Sequence, residues 1–214
     1  MFKKIIFFLV FFVLFAGCKK VATENVKGSF LEEYSERYVK ANSPFVDESL
    51  ILSTIAYMDG IIEREGNKRI ESIFYDKARL LFRLKQFDEA LGGLSKTENE
   101  FYDYYRATLL IRLGRENEAI PLLENMININ KSGIMEMIKQ EGREKFSEKT
   151  KSVLQGLMMY YVLAGLSRES VLNELTNDKL ITLKEAEKLF QEGFLNINET
   201  QDIKKIILDS TWPE

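Results

Sequence analysis

The sequence predicts an all-α chain of antiparallel helical hairpins stacked side by side. Three observations carry that expectation. Apolar residues recur three and four positions apart over long stretches, as in Ile70, Ile73, Phe74, Ala78 and Leu81, which is the spacing of one helix face. Only three prolines occur in 214 residues, and no run alternates strictly between apolar and polar as a half-buried strand would. Breaks at Lys85-Gln86 and at Gly114 each separate two periodic stretches, as the turn of a hairpin does.

The chain opens with Lys3 and Lys4, then an unbroken apolar stretch from Ile5 to Ala16, then the small pair Ala16-Gly17 that a signal peptidase requires. The stretch is shorter than the ~20 residues a helix needs to cross ~30 Å of hydrocarbon. Residues 1–17 therefore read as a secretory signal and not as a membrane span. The ending Leu14-Phe15-Ala16-Gly17-Cys18 resembles the lipobox of bacterial lipoproteins, with Phe15 where that family usually has Leu. The resemblance implies that Cys18 carries a diacylglyceryl thioether and an N-linked acyl chain such as palmitate. Each buried CH₂ contributes ~0.8 kcal/mol, so two or more chains anchor a protein stably. It implies a periplasmic or surface place in the cell envelope. Lys19 stands where Asp would retain an enteric lipoprotein at the inner membrane, which points to the outer membrane.

Residues 18–28 read as the lipidated cysteine and a polar, flexible tether, and residues 29–214 as the all-helical domain. Ser29 with Glu32 forms a capping box for a first helix ending near Asn42-Ser43-Pro44. A second helix is expected from Asp47 to Glu65, stopped by Gly66-Asn67, and a third from Lys68 to Leu84. A short helix with Ala90, Leu91 and Leu94 follows. Further helices are expected over Glu100–Leu113 and Glu116–Ile129, with a break at Asn130-Lys131-Ser132-Gly133 and a short helix over Ile134–Gln140. Ser147 caps an apolar helix over Glu148–Ala164. Thr182 with Glu185 caps Leu183–Gln191, and Asn198 with Gln201 opens a last helix carrying Ile203, Ile206, Ile207 and Leu208.

Composition excludes several chemistries. With no histidine in the chain, Ser-His-Asp and Cys-His pairs, imidazole bases and His-ligated metals are ruled out. Cys18 is the only cysteine, so no disulfide forms within the chain. Asp and Glu outnumber Lys and Arg by 33 to 30. Loss of Lys3 and Lys4 with the signal makes the mature chain more acidic still. An acidic chain without a basic cluster is not a nucleic-acid binder, since that affinity comes from neutralising phosphates. No metal and no cofactor is expected.

Two segments align with each other. Phe74–Leu94 contains Ala78, Leu81, Lys85, Ala90, Leu91 and Leu94; Asp103–Leu123 contains Ala107, Leu110, Gly114, Ala119, Ile120 and Leu123. Small residues at the paired alanine positions let two antiparallel helices approach closely. The segments Leu84–Leu91 and Leu113–Ile120 resemble the tetratricopeptide repeat (TPR). Ala90 and Ala119 stand closer together than that family's period of about 34 residues, and Lys85 replaces the usual turn Gly. The resemblance covers about residues 71–131, and Leu50–Glu65 and Glu148–Glu174 read as degenerate helical pairs. It implies a short right-handed solenoid whose first helices line a groove. Transferring the groove positions selects Tyr75, Arg79, Phe82 and Arg83 in one repeat and Phe101, Tyr104, Thr108, Ile111 and Arg112 in the next. Arg79, Arg83 and Arg112 in one groove would hold a carboxylate or an acidic peptide through charge-assisted forks.

The expected function is therefore a membrane-anchored, TPR-like scaffold that binds a protein or peptide without catalysis. A transport-accessory or small-ligand lipoprotein, with a pocket between the repeats and the C-terminal helices, is the alternative. Glu71-Ser72 is similar to the opening of the lytic transglycosylase motif, in which the Glu is sole acid and base. The glycine-rich segment that family places soon afterwards has no counterpart between Leu80 and Leu91. Asn196–Thr200 carries alternate oxygen ligands like a calcium loop but lacks its central Gly.

Overall fold

Helix after helix forms where the periodicity places one. A computed structural model of the chain describes residues 28–65, 71–141, 148–194 and 200–212. The signal, Cys18, Ser147 and the stretch from Asn196 to Glu199 lie outside the described residues. Ten α-helices occur among the described residues: α1 (Gly28–Ala41), α2 (Glu48–Glu65), α3 (Glu71–Arg83), α4 (Phe87–Leu94), α5 (Asp103–Arg112), α6 (Glu116–Glu141), α7 (Glu148–Leu163), α8 (Arg168–Asn177), α9 (Leu183–Phe194) and α10 (Thr200–Thr211). A 3₁₀ turn, Glu100–Tyr102, leads into α5, and Asn99 caps it by accepting the Phe101 N–H at 3.0 Å. None of these helices is long and apolar enough to cross a membrane.

Packing runs in chain order. Each helix from α1 to α8 packs on the next, α9 also touches α7, and α10 turns back onto α5 and α7. One apolar core extends from Ala41 to Trp212. Ala78, Ala90, Ala107 and Ala119, the small residues of the aligned segments, are each 1% exposed or less. They sit where helices meet, as close antiparallel packing requires.

The hairpins α3–α4, α5–α6 and α7–α8 share one turn. At the end of α3 the Gln86 N–H reaches back to the Leu81 carbonyl at 2.9 Å; Arg115 does the same to Leu110 at 2.8 Å, and Leu166 to Tyr161 at 3.0 Å. The residue before each donor has a left-handed backbone: Lys85 at φ 60°, Gly114 at 71° and Gly165 at 90°. This six-to-one bond around a left-handed residue is the Schellman termination. It explains why the sequence breaks at Lys85-Gln86 without a glycine, because Lys85 adopts the conformation that Gly114 adopts one hairpin later. The third hairpin uses the same turn. Ser167 then opens α8 by accepting the Ser170 N–H at 3.2 Å.

Two expectations are corrected. Helix α6 runs unbroken through Asn130-Lys131-Ser132-Gly133 to Glu141, where a break and a separate short helix were expected. Glycine in a helix interior costs ~1 kcal/mol, but burial of Ile134 (0% exposed) exceeds that. Lys131 adds a tie to α8, meeting Glu174 at 3.3 Å and Asp178 at 2.5 Å. Helix α1 begins at Gly28, one residue ahead of the expected cap Ser29. The Thr182–Glu185 box is present as read: the Glu185 carboxylate accepts the Thr182 N–H at 2.8 Å and its hydroxyl at 2.7 Å.

The turn geometry makes a paired prediction. Lys85→Gly relieves a left-handed non-glycine and raises stability by about 1 kcal/mol, whereas Gly114→Ala lowers it by about 1 kcal/mol. Urea midpoints at unchanged slope measure both; equal effects of the two changes would contradict the shared turn.

Candidate functional site

The groove positions picked from the sequence meet the chain's own last helix. On α10, Ile203 and Ile207 repeat at four-residue spacing and are 0% and 2% exposed, and Thr211 and Trp212 follow on the same buried side. Trp212 reaches α3, where its ring stacks on Phe82 with centroids 5.0 Å apart and planes 11° from parallel. It also lies 6.3 Å from Tyr75 and 5.4 Å edge-on from Tyr105. The helix thus crosses the faces of α5 and α7, and Trp212 just after it reaches α3, so the three first helices of the hairpins are all touched.

Most polar groups in this interface are paired, the buried Arg112 Nε being an exception. The Trp212 indole N–H donates to the Thr108 hydroxyl at 2.9 Å, and that hydroxyl donates in turn to the Tyr105 carbonyl at 2.9 Å. Thr211 donates to the Ile207 carbonyl at 2.7 Å, so the Tyr104 hydroxyl, 2.7 Å away, is the donor to Thr211. Burial pushes the Tyr104 phenol well above its usual range, which keeps that donor protonated. At the rim Arg112 meets Asp209 at 3.0 Å and lies over the Phe82 ring at 5.0 Å. Lys204 reaches Glu116 at 2.9 Å.

Of the nine groove positions, Tyr75, Phe82, Tyr104, Thr108 and Arg112 gather around α10. Ile111 is buried in the core. Phe101 is 42% exposed and packs on Tyr102 and Tyr105, at 5.2 and 6.2 Å. The three arginines do not form one cationic surface, which corrects the expectation of an open site for an acidic peptide. Arg83 turns to the end of α1 and donates to the carbonyls of Ala41 at 2.7 Å and Ser43 at 2.9 Å. Arg79 lies over Tyr75 at 6.0 Å, near Asp76. Burial raises the Asp76 carboxyl above its usual range, against the Tyr34 and Tyr38 hydroxyls and the charge of Arg79, which lower it. Arg112 does meet a carboxylate, but Asp209 of the same chain supplies it.

Glu71 sits at the start of α3 and accepts the Asn99 amide at 3.0 Å; it braces α3 against the turn before α5. Among the described residues no group of three or more acidic, Cys or His side chains could hold a metal. The residues the sequence reading missed are Thr211, Asp209 and above all Trp212. Their signal was present, since Trp212 is the chain's one tryptophan and directly follows an amphipathic helix.

Two substitutions test the interface. Trp212→Ala costs about 3–5 kcal/mol, the range for emptying a large aromatic site. Thr108→Val leaves the indole N–H without an acceptor at a cost of about 1–3 kcal/mol while preserving the helical circular dichroism. In Thr108→Val the emission of Trp212 remains that of a buried indole; a shift to the solvent-exposed maximum would show that the hydrogen bond alone seats α10. No family model matches the chain, and neither a curated protein nor a solved structure matches it.

Proposed function

We propose that the chain is a lipid-anchored, TPR-like scaffold of the bacterial cell envelope, probing partner proteins through the groove that α10 occupies. The observation that carries this reading is the way the groove holds a helix. Stacked aromatics from two hairpins receive one tryptophan, threonine supplies its acceptor, and an arginine at the rim meets an acidic side chain. Helix-in-groove recognition uses these parts, with apolar anchors at i and i+4 and charges at the edge. On this reading Cys18 carries the lipid, residues 19–27 are the tether, and Lys19 directs the protein to the outer membrane. The occupant is resident, so a partner helix takes its place by competition.

A second reading, a small-ligand or transport-accessory lipoprotein without catalysis, is favoured by one observation. A half-open cavity of about 260 Å³ lies between α5, α6 and α7. That is just below the ~300 Å³ at which ligand pockets usually begin, so any occupant is small.

Lipidation and scaffolding are tested together in cells. Cys18→Ser is expected to abolish incorporation of labelled palmitate and to release the protein from membranes. Affinity capture from solubilised envelopes should yield one stoichiometric protein, more of it with Trp212→Ala than with the wild type, and none with Phe82→Asp. Capture indifferent to both changes, or a co-purified small molecule and no protein, would overturn the scaffold.

A further inference from the structure

The cavity between α5, α6 and α7 has a lining with a definite chemistry. Four aromatic rings follow one another along one side of it: Phe101, Tyr105, Tyr104 and Tyr160. Neighbours in this arc are 6.2, 5.5 and 5.7 Å apart between centroids and are tilted by 53°, 69° and 59°. The rings therefore bound the space in several planes instead of stacking closed over it. The Tyr104 hydroxyl adds no polarity here, because it is spent on Thr211 on the α10 side. Among the described lining residues Glu100 alone carries a charge, and its side chain is exposed at the mouth.

The lining also contains Gly156, in the middle of α7 one turn before Tyr160. A Cβ built there meets no atom within 4 Å, so no packing demand excludes a side chain. Glycine at such a place costs ~1 kcal/mol in helix propensity relative to alanine. A bulky residue there would fill space that glycine leaves open.

We infer that this cavity binds a small organic ammonium ion, such as a trimethylammonium group, with the aromatic arc around the cation and Glu100 at its edge. A desolvated cation beside aromatic rings gains ~0.5–2 kcal/mol over a neutral group of the same shape, and the carboxylate adds to that preference. Size agrees with the class. A dry cavity of ~150 Å³ is enough for benzene, so 260 Å³ accepts a quaternary ammonium with a short chain but not a lipid tail. This site rests on the second reading and shares Tyr104 and Tyr105 with the face that α10 covers.

The test titrates the full mature chain with choline and, separately, with its neutral isostere 3,3-dimethylbutan-1-ol, by calorimetry. Choline is expected to bind roughly tenfold more tightly, corresponding to ~1.4 kcal/mol. Glu100→Gln, an exposed change that leaves the fold intact, should remove several-fold of that preference. Gly156→Leu should abolish binding of both compounds without lowering the melting temperature. Equal or tighter binding of the alcohol, no binding of choline at millimolar concentration, or choline binding unchanged by Gly156→Leu would each overturn the inference.

Discussion

The seating of Trp212 between Phe82 and Thr108 is the constraint on which the arrangement of the hairpins depends. Each of the hairpins α3–α4, α5–α6 and α7–α8 packs mainly on its sequence neighbour. Such an array is held by nearest-neighbour contacts alone and exposes the face of its first helices. Helix α10 converts that exposed face into core. It brings residues of α3 and α5 into contact with a segment more than a hundred positions later in the chain, as in the Thr108–Trp212 bond. That contact joins the array into one unit, because releasing α10 would expose the Tyr75, Phe82 and Tyr105 rings together.

Charge plays a secondary part in the same interface. The Arg112–Asp209 pair has its carboxylate side chain 57% exposed, and exposed pairs contribute about 0.2–1 kcal/mol. Burial of the tryptophan is worth several times that. The pair therefore fixes register more than it adds stability. Arg83 makes the same point elsewhere. Its fork satisfies two carbonyls at the end of α1 that no helical N–H can reach, so its role is to close a helix end.

The fold was legible to the extent that short-range chemistry decides it. Helix existence, the break at Lys85-Gln86, the alanine contacts and the Thr182–Glu185 box all follow from residues within a turn or two of each other. The continuity of α6 was not legible, because Asn130 to Gly133 locally favours a break, and only the burial of Ile134 and the ties of Lys131 to α8 overrule it. Groove positions were legible as positions: Tyr75, Phe82, Tyr104, Thr108 and Arg112 do line one face. What covers them was not, because a lone tryptophan after an amphipathic helix marks a buried end but not where it docks, which is set by the long-range contact of Trp212 with Phe82 and Thr108. Within the aromatic run Phe101–Tyr105, Tyr102, Tyr104 and Tyr105 are buried and Phe101 is the exposed edge. That Tyr104 and Tyr105 face α10 while also bordering a cavity on α7 depends on the tertiary arrangement.

A resident helix sets the terms on which the groove could serve another protein. An intramolecular segment acts at an effective concentration of order millimolar. A free partner helix of equal intrinsic affinity, present at micromolar concentration, would then take the groove in only about one molecule in a thousand. A partner must therefore bring added contacts, for instance to the half-buried Arg79, or be concentrated where the groove is. The lipid on Cys18, as proposed, supplies the second condition, because confinement to a membrane surface raises the local concentration of any partner anchored beside it. On the proposed reading the anchor and the groove serve one function: α10 keeps the aromatic face buried until a neighbour on the same membrane displaces it.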